Sequence, residues 1–330
     1  MFAPLAAWLL QRRIPFQENA AIAPHLALGI GGTVRLLIRP RDARQRLAVL
    51  RHLAGAGAAP GIPGARASER SGERPYLVIG GGSNIAFPDV PVQAAVLLTQ
   101  GEEAPPAPLL LADEGALEVD AGMRNQPFLA WCAASGAGGL EFLSGIPGTL
   151  GGAAAVNAGA FGRSVADVLL AADIVDGQGR RRRVDAAHFG FRYRDSRFKL
   201  GSEALLTLRL RHEPASGEAI AARTRENLEY RVTRHPSYRL ASAGCFFKNP
   251  QVGGTKISAG KIIEESGLKS TTLGALAVAA EHANFLLNRG GGTFVDLQRL
   301  EEKIRAAVAA RTGIVLEREV IYVSPDGKKY

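Results

Sequence analysis

Residues 139–162, GLEFLSGIPGTLGGAAAVNAGAFG, hold seven glycines, one proline, one asparagine and a single charged side chain, Glu141. A stretch so poor in side chains makes a poor solvent-exposed loop and offers little for a core strand to bury. Its use must lie in close approach, because bare backbone lets another group come nearer than any Cβ permits. Small residues at Gly151, Gly152, Ala153, Ala154 and Ala155 give a flat, unobstructed surface, and Asn157 adds polar contacts at its edge. Taken alone, the stretch suits the packing of two backbones as well as it suits a broad planar ligand.

A second glycine element, GGGSN (80–84), follows the apolar run YLVI. Glycines at a strand's C-terminal end let backbone NH groups converge on one point, and a pyrophosphate is the natural occupant. Ser83 and Asn84 add side-chain donors. A tight structural turn is the plainer use of a lone triplet. Neither this element nor GIGGTVRL (29–36) matches the G-x-G-x-x-G pattern that opens a helix, which disfavours a Rossmann dinucleotide domain. Two glycine surfaces flanking one sheet favour a large nucleotide cofactor.

Around these elements the chain alternates. VRLLIRP reads as a strand. DARQRLAVLRHLAG reads as a helix capped by Asp42 and stopped near Gly55, and YLVI as a buried strand, giving a βαβ unit. Residues 54–75, rich in Gly, Ala, Pro and Arg, read as a flexible surface insertion. From about 95 to 211 short strands dominate, interrupted by the helix NQPFLAWCAASG. Helices return after 213: EAIAARTRENLEYRVTR, SAGKIIEESG with Ser258 as cap, and LQRLEEKIRAAVAARTG closed by Gly313. There is no internal repeat, and the pattern is α+β in three parts.

The 330 residues carry a net charge of +9 with dispersed arginines. The densest run, Arg180–Arg183 after DGQG, reads as the solvated flank of a hairpin. No basic stripe or recognition helix is visible, so a nucleic-acid partner is disfavoured and anionic small molecules are favoured. Two cysteines, Cys132 and Cys245, read as free thiols in a reducing compartment. No His/Cys/Asp cluster has metal-ligand spacing, so no metal is expected. The N-terminus reads as a short amphipathic helix and not a signal peptide, and no run approaches a membrane span. A cytoplasmic protein is expected, with the monomer favoured.

GIGG (29–32), IGGGSN (79–84), the 139–162 stretch, FRYRDSRF (191–198), SAGCFFKNP (242–250), AGKIIEESGLK (259–269), HANFLLN (282–288) and LEREV (316–320) occur in that order. Together they resemble the UDP-N-acetylenolpyruvoylglucosamine reductase family, over nearly the whole chain. The resemblance implies an α+β fold with a vanillyl-alcohol-oxidase-type FAD domain in two subdomains, 1–100 (rejoined by 312–330) and 101–213. A smaller α+β substrate-binding domain, 214–311, completes it. It implies non-covalent FAD, NADPH as co-substrate, and reduction of the enolpyruvyl ether of UDP-N-acetylglucosamine enolpyruvate to the lactyl ether of UDP-N-acetylmuramate, in peptidoglycan precursor synthesis. The alternatives are an FAD-dependent oxidase or dehydrogenase of another small substrate, and a non-catalytic sugar-nucleotide-binding protein.

Residue by residue, the resemblance puts Gly80, Gly81, Gly82, Ser83, Asn84, Gly145, Ile146, Pro147, Gly148, Gly151, Gly152, Ala153, Asn157 and Gly159 at the cofactor. It puts Arg194 at the enolate, beside Tyr193 in the substrate pocket, and Cys245 at the proton donor, where many relatives carry serine. LEREV offers two carboxylates, Glu317 and Glu319; the family's catalytic Glu immediately precedes the Val, which selects Glu319. Arg234, then Arg231, would meet the diphosphate, with Asn249 and His282 as further substrate contacts. Only 50 residues lie between Arg194 and Cys245, which implies the subclass lacking an extra substrate-covering loop.

Overall fold

The computed structural model describes residues 2–55, 76–100, 105–111 and 114–330. Most of the expected surface insertion therefore lies outside the described residues. The chain forms two compact units. One comprises Met1–Glu18, Leu36–Gly81 and Ala94–Glu229, the other Asn19–Arg35, Gly82–Gln93 and Tyr230–Tyr330.

The first unit carries two hydrophobic cores. One gathers the helix Phe2–Gln11, the helix Ala43–Leu53 and the strand Tyr76–Ile79 around Leu9, Leu36, Ile38, Val49, Leu50, Ala95 and Leu97. The helix Ala43–Leu53 starts as its sequence dictates: Asp42 accepts from the Gln45 amide at 2.7 Å, and Gln45 accepts from the Arg41 amide at 2.9 Å. The strand order is Phe16–Ala21, Thr33–Ile38, Val92–Leu98, Tyr76–Ile79. Val92–Leu98 separates the two strands expected to be neighbours in a βαβ unit, and it pairs in parallel with Tyr76–Ile79. Its near-continuous apolar run suits that central, doubly covered place.

The other core lies under a five-stranded antiparallel sheet, ordered Arg181–Asp185, Leu169–Val175, Ala204–Arg211, Ala116–Asp120, Leu109–Leu111. Phe128, Leu129 and Cys132 of the helix Asn125–Ser135 pack with Leu117, Val119, Leu208 and Leu210. The arginine run does flank a hairpin turn, but it is not simply solvated. Arg181 and Arg183 hold Asp173 at 2.5 and 2.8 Å, and Arg180 holds Asp176 at 3.0 Å. Burial alone would raise Asp173. The hydrogen bonds and charges of Arg183 and Arg181 outweigh it and keep that carboxyl below its ordinary range.

In the second unit, Ala241–Cys245, Phe285–Asn288, Leu276–Val278 and Thr272–Leu273 form an antiparallel sheet. The helices Ala259–Glu265 and Phe294–Thr312 contribute Ile262, Ile263, Leu297, Leu300 and Ile304 to its core. Ser258 and Gly313 are the caps expected. Ile321–Tyr322 pairs in parallel with Ile85–Ala86.

Between the two cores of the first unit, Arg46 is buried on Asp120 at 2.6 Å and donates to the carbonyls of Thr99 and Leu206. Asp120 also accepts from the Gly122 amide at 2.7 Å. Removing one member leaves a buried charge unmatched. Arg46→Met is expected to cost about 3–5 kcal/mol, and the double change Arg46→Met with Asp120→Leu to recover much of it. Urea unfolding midpoints of the three variants check this.

Candidate functional site

The first unit brings the two glycine elements together. A Cβ on Gly80 would sit 2.5 Å from Thr149 Oγ1, and one on Gly81 would sit 2.5 Å from Gly148 Cα. The close approach is backbone on backbone at Gly81 and backbone on the Thr149 hydroxyl at Gly80. The 139–162 stretch is less flat than its sequence suggested, because Leu150–Ala155 is a short helix. Alanines favour helix, and Thr149 caps it by accepting from the Gly152 amide at 3.2 Å. Ala121 and Met123 hold its start, accepting from the amides of Gly151 and Leu150 at 2.8 Å each.

Gly80, Gly81, Ile146, Gly148, Gly152 and Gly159 are half-buried, Pro147 is exposed, and Gly145, Gly151 and Ala153 are buried. Asn125, which sequence reasoning left unassigned, sets the loop between them. Its side chain donates to the Ile146 carbonyl at 2.9 Å, and its backbone amide donates to the Gly148 carbonyl at 3.1 Å. The result is a partly open rim of main chain that admits no Cβ at Gly80 or Gly81. That is the kind of surface a large flat nucleotide requires.

Arg194 and Tyr193 lie in the same unit. Arg194 has a left-handed backbone, φ 55°, as do Asn157 at 47° and Phe161 at 52°. Strain of this kind persists only where neighbours over-determine it. The Arg194 guanidinium donates to the carbonyls of Gly159 at 2.6 Å and Asn157 at 3.4 Å. Its Cζ is 5.6 Å from the Tyr193 ring. Asn157 is buried, and its amide is engaged within the chain: Oδ1 accepts from Ala166 N at 3.0 Å and Nδ2 donates to the Arg192 carbonyl at 2.9 Å. It ties the glycine-rich stretch to the loop that presents Arg194.

The second unit gathers Cys245, Asn249, His282 and Glu319, with Gly82, Ser83 and Asn84 at its own glycine turn. Gly82 turns left-handed, φ 63°, over the His25 carbonyl, leaving 2.2 Å for any Cβ. Residues 246–248 and 317–319 form a short antiparallel ladder. Glu319 N donates to the Phe246 carbonyl and Lys248 N to the Glu317 carbonyl, both at 2.8 Å. The Lys248 ammonium takes Glu317, at 2.5 Å. Glu317 is thus paired with a lysine, and Glu319, opposite Phe246, stands one position along the ladder from Cys245. Asn84 reaches the Glu319 carbonyl at 3.4 Å and accepts from Ile321 N at 3.0 Å.

Cys245 is half-buried beside Ala279, Phe285 and Leu287, at a bulge opened by Gly244, φ 75°. Asn284, also unassigned from sequence, pins that bulge. Its side chain accepts from Phe247 N at 2.9 Å and donates to the Phe247 carbonyl at 2.8 Å. Asn249 accepts from Ala259 N at 2.9 Å, so it caps the helix Ala259–Glu265 from outside. Arg234 stacks 4.0 Å over Tyr230 and is exposed, whereas Arg231 is half-buried near His235. Cys132 is buried, and burial pushes its thiol far up, so it is inert. Among the described residues, no group of three or more His, Cys, Asp and Glu side chains is arranged to hold a metal, and no helix is long and apolar enough to cross a membrane.

A family model described as "UDP-N-acetylenolpyruvoylglucosamine reductase, C-terminal domain" matches residues 235–323, and one described as "FAD binding domain" matches residues 66–185. A UDP-N-acetylenolpyruvoylglucosamine reductase of Geobacter metallireducens is 37% identical over 94% of each chain. The chain belongs to the UDP-N-acetylenolpyruvoylglucosamine reductase family. A reductase of the same name from Protochlamydia amoebophila is 38% identical over 77% of this chain and 81% of its own. The solved structure of UDP-N-acetylenolpyruvylglucosamine reductase from Thermus caldophilus aligns with TM-score 0.69 and 26% identity, over 94% of this chain and 98% of that one. The protein is thus an FAD-binding oxidoreductase, a flavoprotein of the family that serves peptidoglycan precursor synthesis. Its fold is the α+β one expected, an FAD-binding domain joined to the reductase C-terminal domain.

His282 accepts from Asn284 N through Nδ1 at 3.2 Å, which leaves the ring proton of the neutral form on Nε2. Its ring meets His235 edge-on at 5.3 Å. Burial, then the Arg231 charge and His282, push His235 down to about 4. Between pH 6.5 and 4 the unfolded chain therefore binds a proton at His235 that the folded chain does not. Stability from this residue is complete above pH ~6.5 and lost as pH falls toward 4. Denaturation midpoints at stepped pH should show that fall in the native protein and less of it in His235→Phe.

Proposed function

We propose that the protein reduces the enolpyruvyl ether of UDP-N-acetylglucosamine enolpyruvate to the lactyl ether of UDP-N-acetylmuramate, with NADPH as reductant. The observation that carries this reading is the ladder between residues 246–248 and 317–319, which sets a thiol and a carboxylate on adjoining strands. Family membership supplies the substrate class. FAD, when bound, carries the hydride between NADPH and the β-carbon of the enolpyruvyl group. Gly80 to Asn84, Gly145 to Gly148, Gly151 to Ala153, Asn157 and Gly159 are the residues proposed to hold it.

The chain's own groups divide the remaining work. Arg194 neutralises the charge that grows on the substrate carboxylate, and its guanidinium is fixed for that by two main-chain carbonyls. Cys245 gives its proton to the α-carbon, so hydride and proton together saturate the double bond. Glu319 orients the donor and the carboxylate end of the substrate. Tyr193, Arg231, Arg234, Asn249 and His282 are proposed to bind the substrate, the two arginines at its diphosphate. The functional division proposed is 1–100 with 312–330, 101–213 and 214–311. Separate cores in the flavin half and the return of Ile321–Tyr322 to Ile85–Ala86 support it.

Each half-reaction is measurable alone by stopped-flow absorbance. Cys245→Ala is expected to slow reoxidation of the reduced flavin by substrate about 10²- to 10⁴-fold, the contribution of a positioned general acid, and to leave reduction by NADPH intact. Cys245→Ser should retain substantial activity. Arg194→Ala and Glu319→Gln should follow Cys245→Ala. Equal losses in both half-reactions would remove these assignments.

A further inference from the structure

Arg318 lies between the two carboxylates of LEREV and has no role in the chemistry above. Its surroundings are unusually complete. The guanidinium lies 3.6 Å over the Tyr322 ring and 5.3 Å from that of Tyr330. In its plane it donates to Glu301 at 3.2 Å, the Val320 carbonyl at 3.0 Å and the Tyr330 carbonyl at 3.2 Å. Glu301 is itself buried, as is Tyr322, and Arg305 shares the carboxylate at 3.6 Å. Only a planar, delocalised cation stacks on a ring while forking to three acceptors around its edge.

We propose that Arg318 is the positioning residue for Glu319. This rests on the reading of Glu319 as the catalytic carboxylate. Phe247 and Arg318 are directly opposed in the ladder. Alternation then puts Glu317 and Glu319 on one face of the segment and Arg318 on the other. The Glu319 main chain is fixed at both ends, through Phe246 and Asn84. What these bonds leave open is rotation about the strand axis, and a slip of one residue would exchange the faces. Lys248 on Glu317 resists this from one side. Arg318, locked on Glu301 and two rings, resists it from the other, where the anchor is buried and screened from salt.

The test uses the flavin-loaded protein, reading flavin content, thermal midpoint and the two half-reactions for Arg318→Met, Glu301→Gln and Glu319→Gln. Arg318→Met keeps the bulk and loses the fork. It is expected to slow reoxidation by substrate about 10- to 100-fold, the scale of a small misplacement of a reacting group, with reduction by NADPH at the native rate. Glu301→Gln keeps an acceptor at the same place and should give a smaller loss in the same half-reaction only. It also serves as the test if Arg318→Met does not yield folded protein. A purely structural role would lower the thermal midpoint and slow both half-reactions alike, or neither, and either outcome overturns the proposal. Glu319→Gln separates the two readings. If it is slow while the Arg318 and Glu301 variants reoxidise at the native rate, positioning by Arg318 alone is wrong. If Glu319→Gln itself reoxidises at the native rate, the catalytic reading of Glu319 falls first.

Discussion

The contact on which the flavin half depends is one that side chains would forbid. Gly81 stands over Gly148 with 2.5 Å available to a Cβ, and Gly80 stands over Thr149 with the same allowance. The turn after the strand Tyr76–Ile79 and the turn before the helix Leu150–Ala155, far apart in sequence, can share a rim because Gly80, Gly81 and Gly148 carry no side chain there. Hydrogen bonds then set the rim's shape. Asn125 holds Ile146 and Gly148, and Ala121 and Met123 hold the start of the helix Leu150–Ala155. Beneath them Arg46 and Asp120 fix the turn that carries Ala121 and Gly122. Bare backbone here means exact spacing, secured by polar groups one layer down.

How much of this was legible in the sequence follows from how local each cause is. Caps at Asp42, Ser258 and Gly313 act within a few residues, and all three hold. The two glycine elements were legible because glycine in such density has few other uses. What the chain could not announce was pairing across long separations. Val92–Leu98 enters between two strands that looked like neighbours, since nothing in either strand encodes the third. Arg180–Arg183 looked solvated because their partners, Asp173, Asp176 and Glu203, lie on other strands or across the turn. Leu150–Ala155 looked flat because the helical turn is too short to show a period.

The candidate site divides in the same way. Arg194, Cys245 and Glu319 are put forward by motif resemblance alone. The contacts of Asn284 with Phe247 and of Arg318 with Glu301 stayed hidden, although both residues stand inside the motifs HANFLLN and LEREV. Glu317 and Glu319 could be told apart in sequence only by a family rule. In the structure Lys248 pairs with Glu317. The groups named by the resemblance are few and chemically distinctive, whereas Asn157 and Asn284 are ordinary side chains whose partners are main-chain atoms.

Three asparagine side chains, Asn157, Asn284 and Asn288 at the end of the strand Phe285–Asn288, each both give and take hydrogen bonds with backbone. A carboxylate has the same outline but only accepts. Hydrolysis of any one of these amides to aspartate would set oxygen against oxygen, at the Arg192, Phe247 or Leu28 carbonyl respectively. Such a change would leave a buried acceptor facing a buried acceptor at each of these points. Gain of one mass unit at Asn284 would disturb the strand that carries Cys245 without touching any reacting atom. Drift in sequence meets the same barrier, since no other side chain of that length offers a donor and an acceptor side by side.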